Sequence, residues 1–225
     1  NQFYFMVRSA AGSPTTLDQP QEFCERVRLA SHMLVGATEA TMSHGEAWHF
    51  SRVGRLIERG DKTSRIVDVQ YYILLPDARD VGSALDVVRW SALLRSASAL
   101  AMYRRQYGKI TPERVANFLI LDTYFPRAMH FCLRKAQESL RSITGSHAGT
   151  FQNLAEQRMG LLCSTMDYTS VEDIIQQGLH QYIDGFQNQL NSVGEAIHED
   201  FFIAQQTESQ SQAQTANQNS QSQTS

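Results

Sequence analysis

The stretch EAWHFSRVGRLIERGDKTSRIVDVQYYILL, residues 46–75, decides the fold. Its periodicity predicts one long helix. Phe50, Val53, Ile57, Val67, Tyr71 and Leu75 recur at helical spacing and make an apolar face. Beside them runs a stripe of charge, Glu58, Asp61, Arg65 and Asp68. Its spacing of three, four and three stacks all four along one side of a helix. Asp61 and Asp68 fall at the border of the apolar face, among the small residues Gly54, Gly60 and Ser64. Such a border suits a partly buried, hydrogen-bonded charge cluster. Ser43-x-x-Glu46 has the pattern of a capping box and predicts the start. Leu75-Pro76 predicts the stop, because proline blocks the next turn and restricts the residue before it.

Helical periodicity continues on both sides, with little of the alternation a strand requires. The first residues, NQFYFMV, have no initiator Met and read as part of a helix that starts upstream. Residues 9–19 read as a loop around Pro14. Asp18 or Gln19, followed by Pro20 and Glu22, opens a helix that would bury Phe23, Val27, Ala30 and Leu34 and run to the early forties. Ser83 would cap a helix with Trp90, Leu93, Leu94, Ala97, Leu100 and Ala101 on its inner face. Thr111-Pro112-Glu113 opens a short helix. Pro126 would open another, along which Met129, Cys132 or Leu133, Ala136, Leu140 and Ile143 recur at three and four. Residues 144–149 are a loop, and a helix over 150–165 would bury Phe151, Leu154, Leu161 and Leu162. Ser170-x-x-Asp173 caps a last helix, whose buried face would be Val171, Ile174, Ile175, Leu179, Tyr182, Ile183, Phe186, Leu190, Val193 and Ile197. The expectation is an all-α antiparallel bundle of six or seven helices over residues 1–203. Residues 204–225, almost all Gln, Ser, Thr, Asn and Ala, cannot bury enough apolar surface to offset ordering entropy and read as a disordered tail.

Composition narrows the function. Of 225 residues, 42% are apolar and 19% charged, an ordinary globular balance. A net charge of −3 lacks the basic surplus of a general nucleic-acid binder. No apolar run approaches the ~18 residues that span a bilayer. Cys24, Cys132 and Cys163 are odd in number and far apart, which fits reduced thiols in a cytoplasmic protein, not a disulfide framework or a zinc site. His44, Glu46 and His49 lack metal-site spacing. There is no GxSxG elbow, phosphate-binding loop or GxGxxG, and Cys132 and Cys163 lie on apolar helical faces. Neither a metal nor a cofactor is expected.

The string FSRVGRLIERGDKTSRIVDVQYYILLP resembles the signature of the bacterial alpha-E family, an all-helical domain named for its Glu-Arg motif, here Glu58-Arg59. The likeness continues in VVRWSALLRSASALAMYRR and VANFLILDTYFPRAMHFCL and covers residues 1–203. The resemblance implies an earlier helical segment, with a second Glu-Arg helix, that this chain lacks. It implies no established activity. It does imply company: a circularly permuted ATP-grasp protein and a transglutaminase-like peptidase, and hence a role in forming, modifying or trimming an amide-linked product.

For the stripe two readings stand open. One is a structural ion-pair network, with Glu58–Lys62, Asp61–Arg65 and Arg65–Asp68 as partners within one helix. The other is a polar pocket, with Arg65 clamping a carboxylate or phosphate and Glu58 or Asp61 holding an amine or acting as base. Arg95, Asp122 and Arg127 would join that pocket if the fold gathers them. Three functions follow. The domain is an interaction component that docks an ATP-grasp ligase, or binds its peptide-like substrate, through Glu58, Arg59, Asp61 and Arg65. Alternatively it is an enzyme on an amide- or amine-bearing intermediate, or a purely structural domain.

Overall fold

A proline at the first helical turn, Pro20 and Pro112, and a left-handed residue after the last, Ser98 and Gly145, set four of the helix ends in this chain. The computed structural model describes residues 2–11, 18–74 and 84–203. Every regular element among them is helical, in ten α-helices. The chain divides into two compact units, Asn1–Trp48 and His49–Ser225.

The first unit holds α1 (Gln2–Ala11) and α2 (Pro20–Thr41), which pack on each other. Helix α1 continues to Ala11, so residues 9–11 are helix where a loop was expected. Helix α2 starts as expected, with Gln19 as N-cap and Pro20 at the first position. Its burial differs from expectation. No residue of α2 is buried: Phe23, Val27 and Ala30 are half-covered, and Leu29, Met33 and Leu34 are exposed. Periodicity names the face a helix would cover, not whether a neighbour covers it.

Helix α3 (Glu46–Leu74) is the long helix of the sequence. It begins at Glu46, so Ser43 lies outside it and is not its N-cap. Tyr71's side chain, Leu75, Pro76, Ser83 and the polar tail lie outside the described residues. Within the second unit, Val53, Leu56, Gly60, Thr63, Ser64 and Val67 form its buried face.

Next come α4 (Ala84–Ser96) and α5 (Leu100–Gln106), where the sequence had predicted one helix. The break is a Schellman turn. Ser98 sits at φ +53°, Ala99 N–H donates to Leu94 C=O at 2.7 Å, and Ser98 N–H donates to Arg95 C=O at 2.9 Å. Serine stands where glycine is usual, so the sequence carried no stop signal. Helix α6 (Pro112–Ala116) is capped by Thr111, whose hydroxyl accepts from Arg114 N–H at 3.3 Å, and runs on into a π turn over Asn117–Leu121.

Helix α7 (Met129–Thr144) starts three residues after Pro126, not at it, because Asp122 fastens the preceding turn. Its Oδ1 accepts from the amides of Tyr124 at 2.8 Å and Phe125 at 2.6 Å. Gly145 at φ +75° ends α7. The loop that follows is tied to Glu156, only 5% exposed. Its carboxylate accepts from the Thr144 hydroxyl, from Ser146 Oγ at 2.6 Å and from Gln152 N–H at 2.7 Å.

Helix α8 (Leu154–Asp167) buries Ala155, Met159, Leu162, Cys163 and Met166. Phe151, Leu154 and Leu161, expected in the core, are exposed. The Ser170/Asp173 capping box opens α9 (Val171–Gln177) as predicted. The last helix is then split, and Ile175, expected on its buried face, is exposed. Gly178, at φ +95°, separates α9 from α10 (Leu179–His198), which runs on into a π turn over Glu199–Ile203. The breaks at Ser98 and Gly178 are part of the reason that the described residues form ten α-helices where six or seven were expected.

Side-chain bonds give the directions. Arg52 reaches Ser139 while Thr63 reaches Arg127, so α3 runs antiparallel to α7. Phe50 packs on Phe201 while Asp68 meets His180, so α3 also opposes α10. His130 meets Asp167 and Thr144 meets Glu156, so α7 opposes α8. Arg158 meets Ser192 and Ala155 meets Asp200, so α8 opposes α10. The heart of the second unit is thus an antiparallel four-helix arrangement. Its centre holds Leu119, Ile120, Met129, Leu133, Leu140, Met159, Ile183 and Val193, all with no exposed surface.

Candidate functional site

The Glu-Arg helix divides its polar residues between two jobs. Inward, Arg59 donates to the Pro126 carbonyl at 3.2 Å and Thr63 Oγ1 to the Arg127 carbonyl at 2.8 Å. Between them a Cβ on Gly60 would stand 3.5 Å from Cys132 Cβ, ordinary contact, so the helix lies close against α7 there. Ser64 accepts from Gln187 Nε2 at 2.9 Å, and Asp68 Oδ1 lies 2.7 Å from His180 Nδ1. These bonds fix α3 to the turn before α7 and to α10.

Outward, Glu58, Lys62 and Arg65 are exposed. Lys62 Nζ lies 3.7 Å from Glu58 and 3.5 Å from Asp61, and Arg65 Nε donates to Asp61 at 2.8 Å. Partial burial pushes the Asp61 carboxyl up, but the Arg65 guanidinium and Lys62 outweigh it and hold the carboxyl below its ordinary range. The expected Arg65–Asp68 pairing is replaced, because Asp68 turns to His180. Asp61 and Asp68 are partly buried, as their border position implied.

The three further candidates do not join the stripe as a pocket. Arg127 comes nearest, but it is its backbone carbonyl that α3 grips. Asp122 is spent on its own turn and on Gln106 Nε2 at 3.1 Å. Arg95 is exposed in the last turn of α4. Burial pushes the thiols of Cys132 and Cys163 up to about 12, which leaves them poor nucleophiles. His44 stacks on Trp48, with ring centroids 4.2 Å apart. Among the described residues no group of three or more His, Cys, Asp or Glu is placed to hold a metal ion, and no helix is long and apolar enough to cross a membrane.

A cleft of about 720 Å³ opens elsewhere in the second unit, lined from α6, its π turn, the start of α7, the end of α8 and the start of α9. Leu121, Met166 and Val171 give it apolar wall. His130, 4% exposed, lies within that wall. One ring nitrogen, Nδ1, lies 3.2 Å from the Leu121 carbonyl; the other, Nε2, lies 2.8 Å from Asp167 Oδ1. Both nitrogens are thus engaged by oxygens of the protein itself. Arg134 stands one turn along on the same face of α7, with its guanidinium 3.9 Å from Asp167. Arg114, Glu113 and Glu172 complete the charged lining. None of these residues was singled out as a site candidate in the sequence, where Glu113 was read only as part of a helix start. Each is an ordinary surface charge or a lone histidine in its own segment, and only the packing of four helices gathers them.

An antiparallel helical bundle whose Glu-Arg helix is bonded to the turn before a neighbouring helix defines the class of domain. The chain matches the alpha-E family, a predicted alpha-helical domain with a conserved ER motif, over residues 1–202, and it belongs to that family. No curated protein and no solved structure matches it.

Proposed function

We propose that the domain is a binding component and not a catalyst. It would work in the cytoplasm beside a circularly permuted ATP-grasp ligase and a transglutaminase-like peptidase, in the formation or trimming of an amide-linked product. The observation that carries this reading is the state of His130. The one histidine lining the charged cleft has both nitrogens engaged, which favours holding a ligand over moving its protons. The raised thiols of Cys132 and Cys163 support the same view. In this reading the inward residues of the motif, Arg59 and Thr63, hold the fold. The exposed Glu58, Lys62 and Arg65 face a protein partner.

The test is a native pull-down with the full chain and with a Glu58→Lys/Lys62→Glu/Arg65→Glu variant. Recovery of the ligase or peptidase by the wild type alone, with both proteins equally folded, supports the reading. Recovery of neither partner by the wild type overturns the partnership. Turnover of an amide substrate by the purified domain alone overturns the non-catalytic assignment.

A further inference from the structure

In the wall of the cleft the ring of His130 lies between two oxygens that can only accept. Nδ1 is 3.2 Å from the Leu121 carbonyl, and Nε2 is 2.8 Å from Asp167 Oδ1. A carbonyl and an ionised carboxylate supply no proton. Both bonds are therefore made at once only when both ring nitrogens carry a proton, as in imidazolium. The neutral ring has a single N–H and gives up one of the two. With 4% of its surface exposed, the ring has little access to water as a replacement. The charged groups that line the same cleft are Glu113 and Arg114 from α6, Arg134 from α7, Asp167 from α8 and Glu172 from α9. Arg134 lies 3.9 Å from the same Oδ1 that the ring contacts, so guanidinium and imidazole share one anion. The first turn of α7 sets the positive end of its dipole against a charged ring. The ends of the π turn and of α8, at Leu121 and Asp167, set their negative ends in favour of it.

The two bonds are unequal. Asp167 accepts with a full negative charge and at the shorter distance, whereas Leu121 accepts with a neutral carbonyl. The last proton on the ring therefore stays on Nε2. Nδ1 then turns a lone pair on the carbonyl oxygen, and Leu121 loses this donor. Leu121 closes the π turn and leads into the turn before α7. Farther along, Asp122 holds the amides of Tyr124 and Phe125, and α3 grips the carbonyls of Pro126 and Arg127. One segment, residues 121–127, is thus fastened at its start by His130 and at its end by the Glu-Arg helix. We propose that His130 is a pH-sensitive staple on this turn. Doubly protonated, it ties the turn to α8; loss of the Nδ1 proton frees the start of the turn while α3 still holds its end. The cleft wall at Leu121 loosens with it. Imidazole is the side chain whose ordinary titration falls in the physiological range, so a proton suffices as the signal. The device belongs to the fold and stands whether the domain binds a protein partner or a small ligand.

Nuclear magnetic resonance of the nitrogen-labelled full chain, between about pH 5 and pH 9, tests it. Long-range proton–nitrogen spectra report which ring nitrogens of His130 carry protons. The expected result is both at the acid end and Nε2 alone at the alkaline end. Amide hydrogen exchange, corrected for its intrinsic dependence on pH, reports the turn. Protection of the Tyr124 and Phe125 amides should fall at least about three-fold as the Nδ1 proton leaves, the loss of one ordinary hydrogen bond. His130→Gln supplies a donor that reaches toward Asp167 and does not titrate. Its Tyr124 and Phe125 amides should show the alkaline level of protection at every pH, with circular dichroism verifying the fold. Should that variant not fold, the wild-type ring and amide titrations decide by themselves. A ring that keeps one proton, or both, throughout the range overturns the proposal. So does loss of the Nε2 proton first, or protection of Tyr124 and Phe125 that does not follow the ring. A folded His130→Gln protein that repeats the wild-type fall in protection overturns it too.

Discussion

The seam between α3 and the turn before α7, and the cleft at the other face of α7, use the same residue types to opposite ends. Cys132 and Ser139 face the seam; His130 and Arg134, set off around the helix, face the cleft. In the seam each inward polar group ends on the protein itself: Arg59 on a carbonyl, Thr63 on a carbonyl, Ser64 on Gln187. Glu156 in the α7–α8 loop is of the same kind, with its oxygens taken up by Thr144, Ser146 and Gln152. In the cleft Arg134 is exposed and meets a partly exposed carboxylate, Asp167, at the longer distance of 3.9 Å. An arginine in a signature motif is thus no guide to a binding site; what it is bonded to decides its work.

The sharpest way to break this contrast is to remove a saturated group. Glu156→Ala strands two hydroxyls and an amide and should cost about 3 kcal/mol in urea denaturation. Burial raises the Glu156 carboxyl, but the hydrogen bonds from Ser146, Thr144 and the Gln152 amide outweigh it and leave it below the ordinary 4.5. Its stabilisation is therefore complete above pH 4.5 and is lost as pH falls through the lowered value. The wild-type melting temperature should fall along that descent, and Glu156→Gln should lack that component. A Glu156→Gln protein as acid-sensitive as wild type would refute the assignment.

Gly60→Leu pushes a side chain into Cys132 and should cost about 2 kcal/mol, whereas Gly60→Ala should be tolerated. Arg59→Ala should cost about 1 kcal/mol, as one hydrogen bond from a charged donor is lost. If Arg59→Ala left stability untouched, the motif's arginine would be free for a ligand and the contrast would fail. Arg114→Gln and Arg134→Gln should stay within about 0.5 kcal/mol of wild type. Arg65→Ala should not move the denaturation midpoint, because its ion pair with Asp61 is at the surface.

Much of this was legible in the sequence, and the misses have physical causes. The long helix, the Thr111-Pro112 start, the Ser170/Asp173 box and the partial burial of Asp61 and Asp68 follow from local rules that neighbours do not override. The break at Ser98 was invisible because a serine took the left-handed site. Gly178 offered a signal, but the apolar period runs through it without interruption. In α2 the period is present, yet none of its residues is buried. Of the candidate site, the stripe's placement on one helix was readable. The cleft was not, since its charges lie between residues 113 and 172 on four helices and nothing in their spacing joins them.

The grip of Arg59 on Pro126 also has a kinetic meaning. It joins residues 67 apart, and the bonds of α3 to α10 span 123 and 112. Closing such long loops costs chain entropy before any contact repays it. The helices flanking the chain's short loops can assemble first, and α3 locks on afterwards. An interaction that forms after the barrier slows escape without hastening arrival. Weakening Arg59 should therefore speed unfolding and leave the refolding rate as it was, so the motif acts as a latch on the finished bundle.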